Sequence, residues 1–253
     1  MGAIVAFANQ KGGVGKTTSA VNIAAALGKM GKKVLLVDMD PQGNATSGVG
    51  ISKKEIKKSV YEVLIGSAEA KDAVIVTKFK NLSVMPSNIA LVGAEIDLLE
   101  IDRRESCAKR ALDTIKADYD YIFIDCPPAL SMLTVNAFVA ADGLIIPMQC
   151  EYFALEGLSQ LTGTIKKVRQ HYNPSLQISG ILLTMYNARL NLTAEVVREL
   201  KKYYADKLFK EPISRSVRLS EAPSYGEPIC YHEPYGKGAL EYQAVAKELV
   251  GRI

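Results

Sequence analysis

The sequence predicts an α/β fold, with a mainly parallel, twisted sheet and helices on both of its faces. Three observations lead to this class. Apolar runs of strand length alternate along the chain with amphipathic stretches of helix length. The runs are nearly continuous in Val, Ile and Leu, which is typical of parallel strands buried on both faces. A glycine-rich segment also joins the first run to the first helical stretch.

The elements follow from these patterns in order. The predicted strands cover residues 3–9, 33–38, 82–86, 121–125, 143–147 and 177–185. The predicted helices cover residues 16–30, 89–99, 106–117, 130–140, 154–171 and 192–206. No linker rich in Pro or Ser and no repeat divides the chain, so we expect one domain over residues 1–253. Ligands of such sheets bind outside the carboxyl ends of the strands.

Composition narrows the class of protein. Hydrophobic residues make up 48% and charged residues 23%, a globular balance that argues against disordered and fibrous classes. No apolar run approaches the roughly 18 residues of a membrane helix, and the N-terminus lacks a secretion signal. We therefore expect a cytoplasmic protein. The four cysteines form no CxxC pair and the chain has only two histidines, which argues against a zinc site.

Residues 11–18 read KGGVGKTT and follow the first apolar run, AIVAFA. Glycines let the backbone bend so that successive amides face inward, and a helix that starts at Lys16 and Thr17 favours an anion at its N-terminus. This pattern predicts a phosphate-binding loop, with Lys16 on the β and γ phosphates and the Thr17 hydroxyl on Mg²⁺. The predicted nucleotide-binding residues of the loop are Lys11, Gly12, Gly13, Val14, Gly15, Lys16, Thr17 and Thr18.

Carboxylates follow two further apolar runs. VLLVD leads into Asp38 and Asp40, and YIFID ends in Asp125. A lone Asp at a strand end is more often a helix cap or a turn former, but two such ends beside a phosphate loop favour a metal site. We expect Asp125 in the outer shell of the metal, Asp38 near the metal, and Asp40 orienting the attacking water.

The lysine ahead of the glycines in KGGVGKTT resembles the deviant Walker A loop of the ParA/Soj partition ATPases, MinD and the nitrogenase iron protein. VDMDPQGNAT, IDCPPAL, PMQCEYFALEGL and RSVRLSEAPSYGEPI resemble the ParA/Soj group in particular. The resemblance extends from residue 3 to beyond residue 229. It implies a single P-loop NTPase domain with ATP and Mg²⁺ as cofactors.

The resemblance also assigns roles. In ParA-like proteins the equivalent of Lys11 reaches across a nucleotide-sandwich dimer to the phosphates held by the other subunit, so Lys11, Lys16 and Asp40 are the expected catalytic residues. An added cation would stabilise triphosphate charge that one cradle neutralises only in part. Gly12 and Glu151 are expected at the dimer interface. Met185 and Pro212 are the candidates for the residues that flank the adenine ring.

Charge is unevenly distributed. Residues 187–218 contain eight Lys or Arg and four Asp or Glu, an excess equal to the +4 of the whole chain. Such a patch suits the phosphate backbone of double-stranded DNA, contacted without base specificity. Arg189 and Arg218 match positions that ParA/Soj relatives use for DNA, whereas Lys201 and Lys202 are equally consistent with a solvated helix face. A dimer would double the patch.

Three alternatives share the scaffold. A MinD-like protein ends in a basic helix that binds membrane. The C-terminal segment of this chain, GALEYQAVAKELVGRI, has no cluster of Lys or Arg. We therefore expect its apolar stripe to pack on the body of the protein; the stripe consists of Leu240, Val245, Leu249 and Val250. An iron-sulfur protein is not favoured, because the surroundings of Cys126 and Cys150 do not match that pattern. A carboxylate-activating ligase needs a second substrate pocket for which no residues stand out.

The partition interpretation implies the remaining expectations. The chain begins almost at the first strand, so no N-terminal helix-turn-helix domain is expected. The implied partner is a ParB/Spo0J-type protein that stimulates slow hydrolysis. The implied location is the nucleoid within the cytoplasm, with no stable membrane association.

Overall fold

The apolar runs pair into one sheet. The computed structural model describes residues 2–253, and over that range seven strands align in the order β3-β4-β2-β5-β1-β6-β7. All neighbours are parallel except β3 and β4. The strands are β1 (Ala3–Phe7), β2 (Val34–Asp38), β3 (Ile75–Val76), β4 (Leu82–Met85), β5 (Tyr121–Asp125), β6 (Gly143–Gln149) and β7 (Gln177–Thr184).

Helices cover both faces of this sheet. Along the described residues they are α1 (Lys16–Lys29), α2 (Asn44–Gly48), α3 (Val60–Leu64), α4 (Ala94–Asp97), α5 (Cys107–Asp113), α6 (Met132–Ala140), α7 (Ala154–His171), α8 (Asn191–Tyr204), α9 (Val217–Glu221), α10 (Ile229–His232) and α11 (Lys237–Val250). None of the helices within residues 2–253 has the length and apolarity needed to cross a membrane.

The core has two layers because side chains alternate across the strands. In β1, Ile4 and Ala6 pack into a layer with α5, α6, α7 and α8. Val5 and Phe7 point to the other face and pack with α1 and α11. Both layers are built from strand residues that are almost completely buried, which explains why the strands read as continuous apolar runs.

The order of the strands brings the loops after β1, β2 and β5 close together. β1 is central, with Phe7 in register with Asp125 of β5, and Asp38 of β2 is in register with the same Asp125. The loops after β1, β2 and β5 therefore meet at one edge of the sheet, which we call the carboxyl edge. α7 and α8 each start near this edge, after β6 and β7, and run back toward the opposite, amino edge.

The predicted fold class and the six predicted strands are confirmed. The antiparallel β3 was not predicted, because two residues are too few to show a pattern. The single helix predicted over residues 89–99 is wrong. Only α4 is α-helical there, between 3-10 turns, and Ile89 and Ile96 are exposed although Leu91 and Leu98 are buried.

The C-terminal stripe also needs a correction. Val245 and Leu249 of α11 are fully buried and pack in the layer with α1, as expected, and Val250 is partly buried against it. Leu240, however, is 54% exposed, and Tyr242 occupies the core in its place. The packed face is therefore rotated from the predicted one. The packing of α11 on the body is confirmed.

Candidate functional site

The loop between β1 and α1 has the backbone of a phosphate cradle. Gly13 and Gly15 have φ angles of +73° and +82°, a left-handed conformation that glycine adopts without steric cost. Gly15 caps α1, so the N-terminus of this 14-residue helix opens directly into the loop. Residues 11–13 are exposed, whereas Val14 is buried. The loop is anchored at its base and open at its tip.

Lys16 lies inside the loop. Its side chain is almost fully buried, and its Nζ donates a hydrogen bond to the Lys11 carbonyl oxygen at 3.1 Å. Burial lowers the pKa of the Lys16 ammonium, and the Asp125 carboxylate, the strongest opposing group, raises it. A buried cation that spans its own loop is arranged to receive an anion at this point.

Polar side chains at the ends of β6 and β7 hold the loop. Thr184 Oγ1 donates to the Val14 carbonyl at 2.8 Å, and Gln149 Nε2 donates to the Gly13 carbonyl at 3.0 Å. Gln149 Nε2 also contacts Met185 Sδ at 2.7 Å. Sequence reasoning missed Thr184 and Gln149. The available signal was the one that identified the aspartates, namely a polar residue that closes an apolar strand.

Asp125 is the clearest metal candidate. It is fully buried at the end of β5, and neither of its carboxylate oxygens has a hydrogen-bond partner among residues 2–253. Burial, and next the Asp38 carboxylate, raise the pKa of the Asp125 carboxyl well above its ordinary value, while the Thr17 hydroxyl and Lys16 oppose them. A buried, unpartnered carboxylate beside a hydroxyl and a phosphate loop fits a divalent cation.

Asp38 has a different environment. Its Oδ2 accepts hydrogen bonds from the Thr46 backbone N–H at 2.8 Å and from Thr46 Oγ1 at 2.7 Å. Thr46 Oγ1 in turn accepts from the Ser87 backbone N–H at 2.9 Å. Burial raises the pKa of Asp38 to about 6, and the bonds from Thr46 limit the rise. Asp38 therefore ties α2 to β2. Thr46 was not predicted, because its partner lies eight residues away.

Asp40 lies in the turn between β2 and α2. Its Oδ1 accepts a hydrogen bond from the Gln42 backbone N–H at 2.9 Å, and its carbonyl accepts from the Gly43 N–H at 2.8 Å. The side chain is mostly buried, close enough to Lys16 to raise the pKa of that ammonium. The structure thus brings Lys16, Asp40 and Asp125 together at the carboxyl edge.

The sheet edge contains no ready-made metal cage. Within the described part of the chain, residues 2–253, no three His, Cys, Asp or Glu side chains are grouped so as to hold a metal ion. Mg²⁺ keeps several waters and takes few protein ligands beside substrate phosphates. Thr17 and Asp125 are the residues that fit it, with Asp38 adjacent.

Lys11 and Glu151 form an ion pair in one chain. Both side chains are about half exposed, at the mouth of the loop. A Cβ on Gly12, the next residue, would lie 3.9 Å from Pro128 Cβ, an ordinary contact. The monomer therefore leaves room for a side chain at Gly12.

Two clefts flank the loop and meet at Met185. One, of about 680 Å³, is lined by both predicted adenine flanks, Met185 and Pro212, and by Arg189. The other, of about 510 Å³, is lined by Gly15 and Thr18 as well as Met185. Met185 has a φ of +48°, which is uncommon for a residue other than glycine and typical of functional sites.

The basic residues predicted to contact DNA lie on different elements of the fold. Arg189 follows β7 at the carboxyl edge and lines the larger cleft. Arg218, on α9, is paired with Glu221 at 3.0 Å and Glu233 at 3.7 Å. Lys201 and Lys202 lie at the far end of α8, about 20 Å away at 1.5 Å per helical residue. Lys202 pairs with Glu199 at 2.7 Å.

A parallel sheet with a phosphate loop after β1 and carboxylates at the ends of β2 and β5 defines the class of P-loop nucleoside triphosphatases. The family model that matches, described as an AAA domain, covers residues 2–178.

Relatives of known name narrow this class. The chain is 54% identical to the sporulation initiation inhibitor protein Soj of Bacillus subtilis, over 98% of both chains. It is 48% identical to the chromosome partitioning protein ParA of Myxococcus xanthus, over 100% of this chain and 89% of that one. A solved structure described as cobyrinic acid a,c-diamide synthase from Mycobacterium smegmatis, with a bound ATP analogue and magnesium, is 38% identical, with a TM-score of 0.86, over 99% and 95% of the two chains.

The chain therefore belongs to the ParA/Soj family of partition ATPases. As a member of this family it is an ATPase, and ATP and Mg²⁺ are the nucleotide and metal that its phosphate loop and Asp125 fit.

Proposed function

We propose that this protein segregates chromosomal or plasmid DNA by an ATP-controlled cycle. Two chains bound to ATP and Mg²⁺ form a sandwich dimer that holds duplex DNA without base specificity, and hydrolysis stimulated by a ParB/Spo0J-type partner releases it. The protein acts in the cytoplasm, on the nucleoid. The observation that carries the proposal is the second lysine of the loop. Lys16 is buried within the cradle, whereas Lys11 lies outside it at an exposed mouth.

We assign the chemistry to residues of the phosphate site. Lys16, the loop amides and Thr18 hold the triphosphate, and Thr17 and Asp125 hold Mg²⁺, which neutralises charge on the phosphates when bound. Asp38 fixes the turn through Thr46. Asp40, in that turn, orients the water that attacks the γ-phosphate.

Dimerisation would give Lys11 a better partner. Its present ion pair with Glu151 is half exposed, and such pairs contribute little to stability. A triphosphate in the facing subunit offers more negative charge, so Lys11 exchanges partners and Glu151 stays at the interface beside Gly12. Tyr152 and Phe153, next to Glu151, are 78% and 66% exposed, an apolar surface that a partner subunit would cover.

The nucleotide base is proposed to enter the cleft lined by Met185 and Pro212. This cleft adjoins the loop, since Gln149 contacts both Gly13 and Met185. A largely preformed pocket of a few hundred Å³ is the usual size for a small ligand.

DNA contacts are proposed for Arg189, Arg218, Lys201 and Lys202. Each dimer presents every cation twice, so contacts too weak in one chain become bivalent in two. This makes ATP the condition for DNA binding. Of these residues, Arg189 connects DNA binding to nucleotide binding most directly, because it lines the cleft proposed for the base.

The MinD-like and ligase alternatives fit less well. Membrane targeting in the manner of MinD would need the apolar face of α11, which is already buried against the body. Ligase chemistry is a second candidate because of the 38% identity to the structure described as a diamide synthase. The identities of 54% and 48% to Soj and ParA favour partition.

A gel shift on arbitrary duplex DNA with ATP, ADP or no nucleotide, in parallel with liposome sedimentation, tests the proposal. We expect DNA retention with ATP alone, and lower retention for Arg189→Glu when both proteins are compared at ATP concentrations that saturate them. The matched control is Lys33→Glu, which reverses an exposed cation at the amino edge. Pelleting with liposomes would favour the membrane alternative, and retention on neither would favour the ligase. Equal retention of Arg189→Glu and wild type would remove Arg189 from the DNA surface.

A further inference from the structure

A long stretch of the chain has no acidic residue. Residues 157–194 contain no Asp or Glu but include Lys166, Lys167, Arg169 and Arg189. Over the wider range 157–218 there are 11 Lys or Arg against four Asp or Glu. The basic excess of residues 157–218, seven, is therefore larger than the +4 of the whole chain, and it begins on α7.

The fold gathers these cations in a groove. α7 and α8 both run back to the amino edge of the sheet, where their last turns flank a groove of about 910 Å³. Lys166 and Arg169 of α7 line it from one side, and Lys207, just after α8, lines it from the other. Among residues 2–253, Asp206 is the only acidic residue that lines the groove. Lys201 lies on the adjoining turn of α8.

These cations have few counter-ions on the chain. Among residues 2–253 no carboxylate lies within 4.0 Å of the side-chain nitrogens of Lys166, Arg169 or Lys201, and Lys207 approaches only Asp206, at 3.4 Å. Arg218 and Lys202, by contrast, each have a carboxylate at 3.0 Å or less. Exposed cations that lack internal partners are available to an external polyanion.

We propose that the groove between the ends of α7 and α8 is a second contact surface for the phosphate backbone of duplex DNA, carried by Lys166, Arg169 and Lys207. The inference rests on the proposed function and adds a surface to it. α8, with 14 residues, separates the groove from Arg189 by about 20 Å, which is about six base pairs at 3.4 Å per step. One duplex then contacts both ends of the helix.

A lipid surface fits the groove between α7 and α8 less well than duplex DNA does. Helices that lie on membranes insert an apolar face between the head groups. The apolar residues of α7, among them Leu161, Ile165 and Val168, are buried in the core of this protein. The groove combines its cations and the polar side chains of Thr162, Gln170 and Gln177 with apolar residues, of which Ile165 and Leu176 are buried and Tyr203 is exposed. Its cations suit a phosphate backbone.

The test uses the double variant Lys166→Gln/Arg169→Gln in the full chain. ATP-dependent retention of arbitrary duplex DNA is measured against salt concentration. Two lost phosphate contacts per subunit should reduce the slope of log K against log salt by about 1.8 per subunit and lower affinity about tenfold or more at fixed salt. Lys33→Gln/Lys80→Gln removes the same charge from exposed positions at the amino edge, before β2 and β4, and should leave the slope unchanged.

The outcomes separate the two proposals. If wild type binds DNA with ATP and the α7 variant shows the same slope and affinity, the groove does not contact DNA. If wild type shows no ATP-dependent retention, the proposed function fails and the groove proposal fails with it. Thermal unfolding and the ATP-dependent mass confirm that the variant folds and assembles. Should it unfold, Lys207→Gln, at a half-exposed position, tests the groove from its other wall with an expected slope change of about 0.9 per subunit.

Discussion

At the scale of residues, Lys16 and Lys11 lie in one loop but in opposite environments. Lys16 is buried, faces Asp125 and spans the loop to the Lys11 carbonyl. Lys11 is half exposed and holds Glu151 of its own chain. A cation in water gains little from a single surface carboxylate, and more from a triphosphate brought to it by a second subunit. This difference in surroundings is the physical basis of the proposed switch.

Gly12→Val tests the approach of two loops. One chain has room at this position, since Pro128 Cβ lies 3.9 Å from where a Cβ would be, so we expect unchanged ATP binding by calorimetry. The side chain would meet the facing loop, so light scattering with ATP should show only monomer. Gly12→Ala is the smaller control. An ATP-dependent dimer of Gly12→Val would contradict the close approach.

Asp40→Ala tests the attacking water. Loss of a group that positions the nucleophile should slow ATP turnover at least about a hundredfold. ATP binding should persist, because Lys16 and Thr17 remain, and the dimer should accumulate. Phosphate release and light scattering on one sample measure both effects. Turnover at the wild-type rate would refute this role for Asp40.

The raised pKa of Asp38 predicts that the stability of the ligand-free protein depends on pH. Its folded pKa, about 6, exceeds its ordinary 3.8, so the folded state binds more protons between these values. Stability from this group is therefore greatest at low pH and is lost as pH rises from about 4 to 6, by up to about 3 kcal/mol.

Urea unfolding checks this by comparison with Asp38→Asn, which has no charge to bury. The free energy of unfolding of the variant should rise relative to wild type as pH increases from about 4 to 6. A difference that is independent of pH would show that Asp38 titrates as it does in the unfolded chain.

At the scale of elements, the packing of α11 distinguishes a helix that belongs to the core from a helix that binds a membrane. Leu249→Ala removes a fully buried side chain and should cost about 3 kcal/mol of unfolding free energy. Leu240→Ala, on the same helix but 54% exposed, should change it by less than about 0.5 kcal/mol. Urea unfolding of both measures the contrast. Similar effects of the two substitutions would mean that the helix is not packed as described.

The sequence was sufficient for the elements whose signal is local. Long buried runs predicted six strands, and the glycines and lysine of residues 11–18 predicted the phosphate loop. It was insufficient where a segment is apolar on all sides, as around Ile89 and Leu91, because periodicity then gives no face. It also missed Gln149, whose contact at Gly13 spans 136 residues, since only the fold brings these residues together.

At the scale of the whole molecule, the parallel sheet separates two tasks. Its carboxyl edge collects the phosphate loop, Asp40 and Asp125, and its amino edge carries the α7–α8 groove proposed for DNA. α8 joins the two edges. In the proposed cycle ATP would act on DNA affinity through assembly, because a dimer doubles every basic contact without a change in any one of them.

The most direct measurement is the mass of the protein by light scattering with a non-hydrolysable ATP analogue and Mg²⁺, for wild type and Lys11→Gln. Wild type should show twice the mass of one chain. Lys11→Gln should show the mass of one chain, with analogue binding by Lys16 retained. A full dimer of Lys11→Gln would contradict the account, because the second lysine would then be unnecessary for assembly.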